Sequence, residues 1–177
     1  FDKGGYILTY DYDKWSFIDP KEAQKKLNLP RNPRDYTSIA VTTDDSNDEI
    51  VYASSMGDGV IQYKNGTPVQ SYNEKNAFKE TAGGYGSGYC YIDGLAFDKN
   101  GNLWMTSSEV NHAVLVLDKA GAWHRLDIEQ LRGVYTINDI LITSTNDKWI
   151  YVPRNTPKLV MIPNSESLDE VSSYEFT

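Results

Sequence analysis

The sequence predicts an all-β chain, a β-propeller fragment of about three to four four-stranded blades. Three observations carry this expectation. Short segments alternate apolar and polar residues with the period of a strand, among them "SIAVTT", "EIVYASS", "GVIQY", "NLWMTS" and "AVLVL". These strands recur in a fixed order, at a step of roughly 45–54 residues, the length of a four-stranded blade. Large apolar residues also recur in phase, with Val51, Trp104 and Trp149 at equivalent places in three successive blocks.

The elements follow in order. "YILTYDYDKWSFID" reads as two outer strands of a blade. It matches "AVLVLDKAGAWHRLD", with Leu8 on Leu115, Asp11 on Asp118 and Trp15 on Trp123. "DPKEAQKKLNLP" is the one clear helix. Asp19 is its N-cap, Pro20 takes the first helical position, Glu22 completes a capping box and Pro30 stops the run. Asp127, opening "DIEQL", is expected to cap in the same way after the corresponding later strand. The blade limits are then 1–30 for outer strands plus helix, 31–82 and 83–133 for two blades, and 134–177 for most of a further one. Blades bury their faces only by stacking, so an arc of this size calls for cover at its ends, by contacts with another copy or with something else.

The chain has 177 residues, a net charge of −8 and a pI near 4.7. That balance disfavours nucleic acid and anionic membranes, which select Lys and Arg. No run approaches the ~18 apolar residues of a membrane span. The single cysteine, Cys90, lies between Tyr89 and Tyr91 and reads as a small buried hydrophobe. The opening "FDKGGYILTYDYDKW" reads as mid-domain strand, so a mature or excised piece is expected.

Several motifs invite chemistry. Asp98, Asn100 and Asn102 alternate like the start of a calcium loop, with Glu109 at the twelfth position. Leu103 occupies the place of the loop's glycine, however, and an Asn-Gly hairpin turn explains the segment better. Repeat register sets Thr37, Asp93 and Asn138 just before the innermost strand of each blade, around the mouth of the channel. Strand-start capping, ligand contact and, for Asp93 and Asn138, a metal site all stay open there. His112 and His124 lie on different strands without metal-ligand spacing and read as surface residues. "AGGYGSGY" lacks the Lys-Ser/Thr of a phosphate loop. It reads as a connector between blades, or as a binding loop presenting Tyr85 and Tyr89. Trp104 and Trp149 are expected in the core, and Trp15 and Trp123 half exposed.

"LAFDKNGNLWMTSS" resembles the two-component-regulator propeller repeat. The longer run "IDGLAFDKNGNLWMTSSEVNHAVLVLDKAGAWHRLD", with "INDILITSTNDKWIYVPRN" after it, is similar to the PorZ family of type IX secretion surface proteins. The resemblance is best over residues 91–177. It implies an exported, non-catalytic module at the cell surface or in the periplasm, with no cofactor. Its partner would be a protein or a glycan of the lipopolysaccharide type. The same repeat builds glycan-sensing ectodomains of hybrid two-component kinases, which is the alternative. "IDGLAFDKNGNLWM" is also similar to gluconolactonase-type propellers, metal-dependent hydrolases in which an Asp, an Asn and a Glu bind a divalent ion. Asp93 and Asn138 match the first two ligands, and the Glu has no counterpart.

Overall fold

The computed structural model describes residues 5–82, 88–165, 167–168 and 171–177. Strands β1 (Ile7–Asp11) and β2 (Lys14–Ile18) form an antiparallel hairpin, followed by helix α1 (Pro20–Leu27). Asp19 Oδ1 accepts from Lys21 N at 2.9 Å, as an N-cap should. The helix ends earlier than its proline: Asn28 takes a left-handed conformation (φ 52°), and Leu29 N bonds to Gln24 O.

Three antiparallel meanders come next, each ordered as in the sequence. The first comprises β3 (Tyr36–Thr43), β4 (Glu49–Gly57), β5 (Gly59–Lys64) and β6 (Thr67–Tyr72). The second comprises β7 (Cys90–Phe97), β8 (Leu103–Ser107), β9 (Val114–Leu117) and β10 (Trp123–Leu126). The third comprises β11 (Ile140–Ile142), β12 (Lys148–Val152), β13 (Lys158–Ile162) and β14 (Tyr174–Phe176). A short bridge of β4 to β7, Met56 with Tyr91 and Gly57 with Cys90, stitches the first two meanders together.

The core lies between blades. Successive side chains of a strand point to opposite faces, so each strand serves two neighbours. Ile7, Ile18 and Ala23 pack with Val51, Ala53, Ile61 and Tyr63. Ile50, Tyr52 and Val60 meet Leu95, Leu103, Met105 and Leu115. Trp104, Val114 and Val116 meet Ile140, Ile150, Val152 and Val160. Strands β8 and β9 are buried along their whole length because both of their faces are covered.

One register equivalence and one core assignment need correction. Hairpin register pairs Thr42 with Ile50, Ala96 with Trp104 and Leu141 with Trp149. Ile50, not Val51, is therefore the counterpart of Trp104. Val51 is buried, but a one-residue shift turns it toward the opposite neighbour. Trp149 is only half-buried: it lies on the outward face of the last meander beside Phe176, 5.4 Å between ring centroids. The buried residue is its neighbour Lys148, whose Nζ stands 4.5 Å from the centroid of Trp104. Asp127 caps no helix: a single 3-10 turn follows it, and its carboxylate pairs with Arg132 at 2.5 Å.

Candidate functional site

The starts of β3 and β7 and the ends of β4 and β8 meet at one end of the arc. Asp93 and Gly94 form a bulge there. Ile92 pairs with Ser107 and Leu95 with Met105, so the two residues together face Thr106. Gly94 is required by packing, since a Cβ at this position would stand 2.7 Å from Ile140 N. Thr106 Oγ1 accepts from Gly94 N at 2.9 Å and donates to Asn138 O at 3.0 Å, tying the middle meander to the last one.

Asp93 Oδ2 accepts from Ser108 Oγ at 2.6 Å, and Ser108 Oγ accepts from Ile137 N at 2.8 Å. Burial pushes the Asp93 carboxyl up to about 7 despite the hydrogen bonds from Ser108. Thr37 Oγ1 donates to Ile92 O at 2.7 Å and shares a hydrogen bond with Ser54 Oγ at 2.8 Å. Counted from the paired positions Val41, Leu95 and Ile140, Asp93 and Asn138 are equivalent and Thr37 sits two residues further out. Its hydroxyl nevertheless reaches the peptide that precedes Asp93. The Asn138 side chain is exposed, while its backbone N bonds to Tyr151 O.

Aromatic residues extend this end. The rings of Tyr89 and Tyr91 lie 6.1 Å apart. Burial raises the proton affinity of Tyr91, reinforced by the nearby Asp93, Tyr89, Tyr135 and Glu109. The Tyr89 ring leaves no room for a side chain at Gly57, where a Cβ would approach it to 2.6 Å. Beyond Tyr89 opens a crevice of about 330 Å³, bordered by Arg31, Asp58, Asn73, Glu74 and Lys75. Arg31 Nε and Asp58 Oδ1 pair across it at 2.6 Å. Tyr85, the other tyrosine of the Gly-rich connector, lies outside the described residues.

Asp98 is fully occupied as a turn residue. Oδ1 accepts from Asn100 N and Asn102 N, and Oδ2 from Asn102 Nδ2 and Trp104 Nε1, all at 2.9–3.0 Å. Its lone pairs point at donors and not at a cation position. Among the described residues no three His, Cys, Asp or Glu side chains converge on one point.

Both histidines lie at the surface, partly exposed, and each is paired with a carboxylate. His112 Nδ1 meets Glu80 Oε1, and His124 Nε2 meets Asp118 Oδ2 at 2.9 Å. Cys90 is buried, and its thiol is pushed up to about 12 by burial and by Glu74. Sequence reasoning missed Ser108, Thr106 and the Arg31–Asp58 pair. Ser54 and Ser108, at one register position in successive blades, were the available signal.

Four-stranded meanders stacked face to face around a polar mouth define this chain as part of a β-propeller. Known structures agree. Its fold is similar to PorZ, an essential surface component of the type IX secretion system of Porphyromonas gingivalis, with TM-score 0.78 and 21% identity. That match covers 98% of this chain and 24% of PorZ, so the chain spans about a quarter of its relative. It is also similar to the extracellular domain of the putative one-component system BT4673 of B. thetaiotaomicron, with TM-score 0.55 and 17% identity over 80% of this chain and 18% of that one. The extracellular domain of the putative hybrid two-component system BT3049 from the same organism gives TM-score 0.51 and 15% identity, over 81% of this chain and 17% of that one. No family model matches the sequence. No curated protein matches it either.

Proposed function

We propose that this chain is part of an exported, non-catalytic propeller that binds a protein or glycan ligand at its mouth, as a component of a secretion or surface-attachment machine. One observation carries the reading: the track that runs from the Arg31–Asp58 crevice over Tyr89 and Tyr91 to Asp93. Rings with polar tips beside paired charges are suited to a ligand with alternating apolar faces and hydroxyls. Thr37 and Asn138 border the same end. The similarity to PorZ supports the secretion reading, and the similarity to two bacterial extracellular domains supports a glycan sensor as the second.

Titration of this chain with purified lipopolysaccharide and with a panel of neutral oligosaccharides tests the site. Saturable binding is expected, lowered at least tenfold by Tyr89→Ala or Asp93→Ala. Lys119→Ala, in the turns at the opposite end, should leave it unchanged. Binding to oligosaccharides alone would favour the sensor. Affinity for neither class, or equal loss in all three variants, would overturn a glycan site.

A further inference from the structure

The β3–β4, β7–β8 and β11–β12 turns share one backbone pattern. Asp44 N bonds to Asp48 O, Asp98 N to Asn102 O and Thr143 N to Asp147 O. Asp44 Oδ1 also accepts from Ser46 N and Asp48 N, as Asp98 Oδ1 does from Asn100 N and Asn102 N. The two interfaces between these meanders therefore match residue for residue at their turn ends. Ile50 stands where Trp104 stands one blade later, and Leu103 stands where Lys148 does.

The interface between the second and third meanders is closed. Lys99 N donates to Asn146 Oδ1 at 2.9 Å and Lys99 Nζ donates to Ser144 O, so one turn is tied to the next. Trp104 fills the space beside them, with Lys148 Nζ over its ring and the carboxylates of Asp98 and Asp147 nearby. An ammonium on an aliphatic stem is thus seated on an aromatic face inside an acidic frame. The interface between the first and second meanders is open. Ile50 and Leu103 are shorter than Trp and Lys, and the turn side chains bond within their own meanders: Lys64 to Asp44 and Asp48, and His124 to Asp118. A groove of about 470 Å³ results. Ile50, Leu103 and Leu117 line it together with Tyr52 and Phe97, whose ring centroids are 5.8 Å apart. Its polar lining is acidic. Asp44, Asp45 and Asp118 stand against Lys64 and Lys119, and Lys64 is shared with a further carboxylate, that of Asp48.

We propose that this groove binds a small organic cation, a primary ammonium on an aliphatic stem of about four carbons, the length of a lysine side chain. The stem lies along Leu103 and the Tyr52–Phe97 corner, and the ammonium meets Asp45 and the Asp44–Asp48 edge. Lys148 is the chain's own version of this ligand, one interface further on. The excess of carboxylates over ammonium groups selects a cation over a neutral molecule of the same length. The groove opens at the turn end, away from the mouth, and its ligand is independent of the one proposed there.

Titration of the 177-residue chain with n-butylamine at constant pH, followed by amide chemical shifts, tests the site. Saturable shifts at Phe97 and Leu103 are expected, and 1-butanol should give none. Asp45→Asn, on an exposed side chain, should weaken the binding about threefold. Glu129→Gln, in the turn after β10, should leave it unchanged. Leu103→Lys, which copies the closed interface, should abolish it, and if that variant does not fold the Asp45→Asn comparison decides. No saturable shift with n-butylamine, equal shifts with 1-butanol, or equal affinity in Asp45→Asn and the parent would each overturn the proposal. Binding of Nα-acetyl-lysinamide without any of n-butylamine would overturn it in favour of a peptide ligand.

Discussion

Asp98 and Asp93 lie on the same stretch of chain, and their surroundings set the same side chain to different tasks. Asp98 organises a turn and receives four donors, one of them from the buried Trp104 indole. Asp98→Ala leaves that indole N–H without an acceptor in the core, so a loss of about 2–3 kcal/mol is expected in denaturant unfolding. Added calcium should leave the melting temperature of the parent chain unchanged, because no lone pair of Asp98 is free to bind it. Asp93 is held by burial at about 7, above the range of an unfolded chain. Between about pH 4 and 7 the folded state keeps a proton that the unfolded state has released. The contribution of this group to stability is thus fully present below about pH 4 and is lost as pH rises through 7. Asp93→Asn should remove that dependence. Melting curves should show the variant gaining on the parent at pH 8 relative to pH 5, and an equal difference at both pH values would refute the assignment.

At the level of elements, side-chain hydroxyls and tight contacts join one blade to the next. Thr37 reaches Ile92 O, and Thr106 reaches Asn138 O. Gly94 keeps the bulge close enough for the second of these bonds. Gly94→Ala would push a methyl group against the Ile140 backbone, and a loss of about 1–3 kcal/mol is expected. The helix depends on a local device instead. Asp19→Ala removes the acceptor for Lys21 N and should cost about 1 kcal/mol. Circular dichroism of that variant should show only a slight loss, since Ala23 is still packed against the first meander.

For the molecule as a whole, stacking determines which apolar residues are covered. The last meander leaves Leu141, Tyr151, Leu159, Tyr174 and Phe176 exposed on its outer face, with Trp149 half-buried among them. The first hairpin leaves Leu8, Tyr10, Trp15 and Phe17 exposed in the same way. Apolar sheet faces of this extent favour association. The radius from solution scattering should grow with concentration, and the growth should diminish in the double variant Leu141→Lys, Leu159→Lys. A radius constant over the same range in the parent would count against it.

Strand identity, the turn chemistry of Asp98, the Asp19 cap and the blade step could be read from the linear order. They depend on neighbours within a few residues, and alternation and turn residues encode those neighbours directly. The face toward which a residue points was less legible. Matching large apolar residues along the sequence aligns Val51 with Trp104, whereas the hairpin pairs reveal Ile50, because a shift of one residue reverses the face. Whether Trp149 is covered and how Lys148 comes to lie on Trp104 both depend on an adjacent blade. The Asp93–Ser108–Ile137 chain and the Arg31–Asp58 crevice likewise bring together segments far apart in sequence. Local pattern carries no record of what stacks against a strand, so these features exist only once the blades have packed.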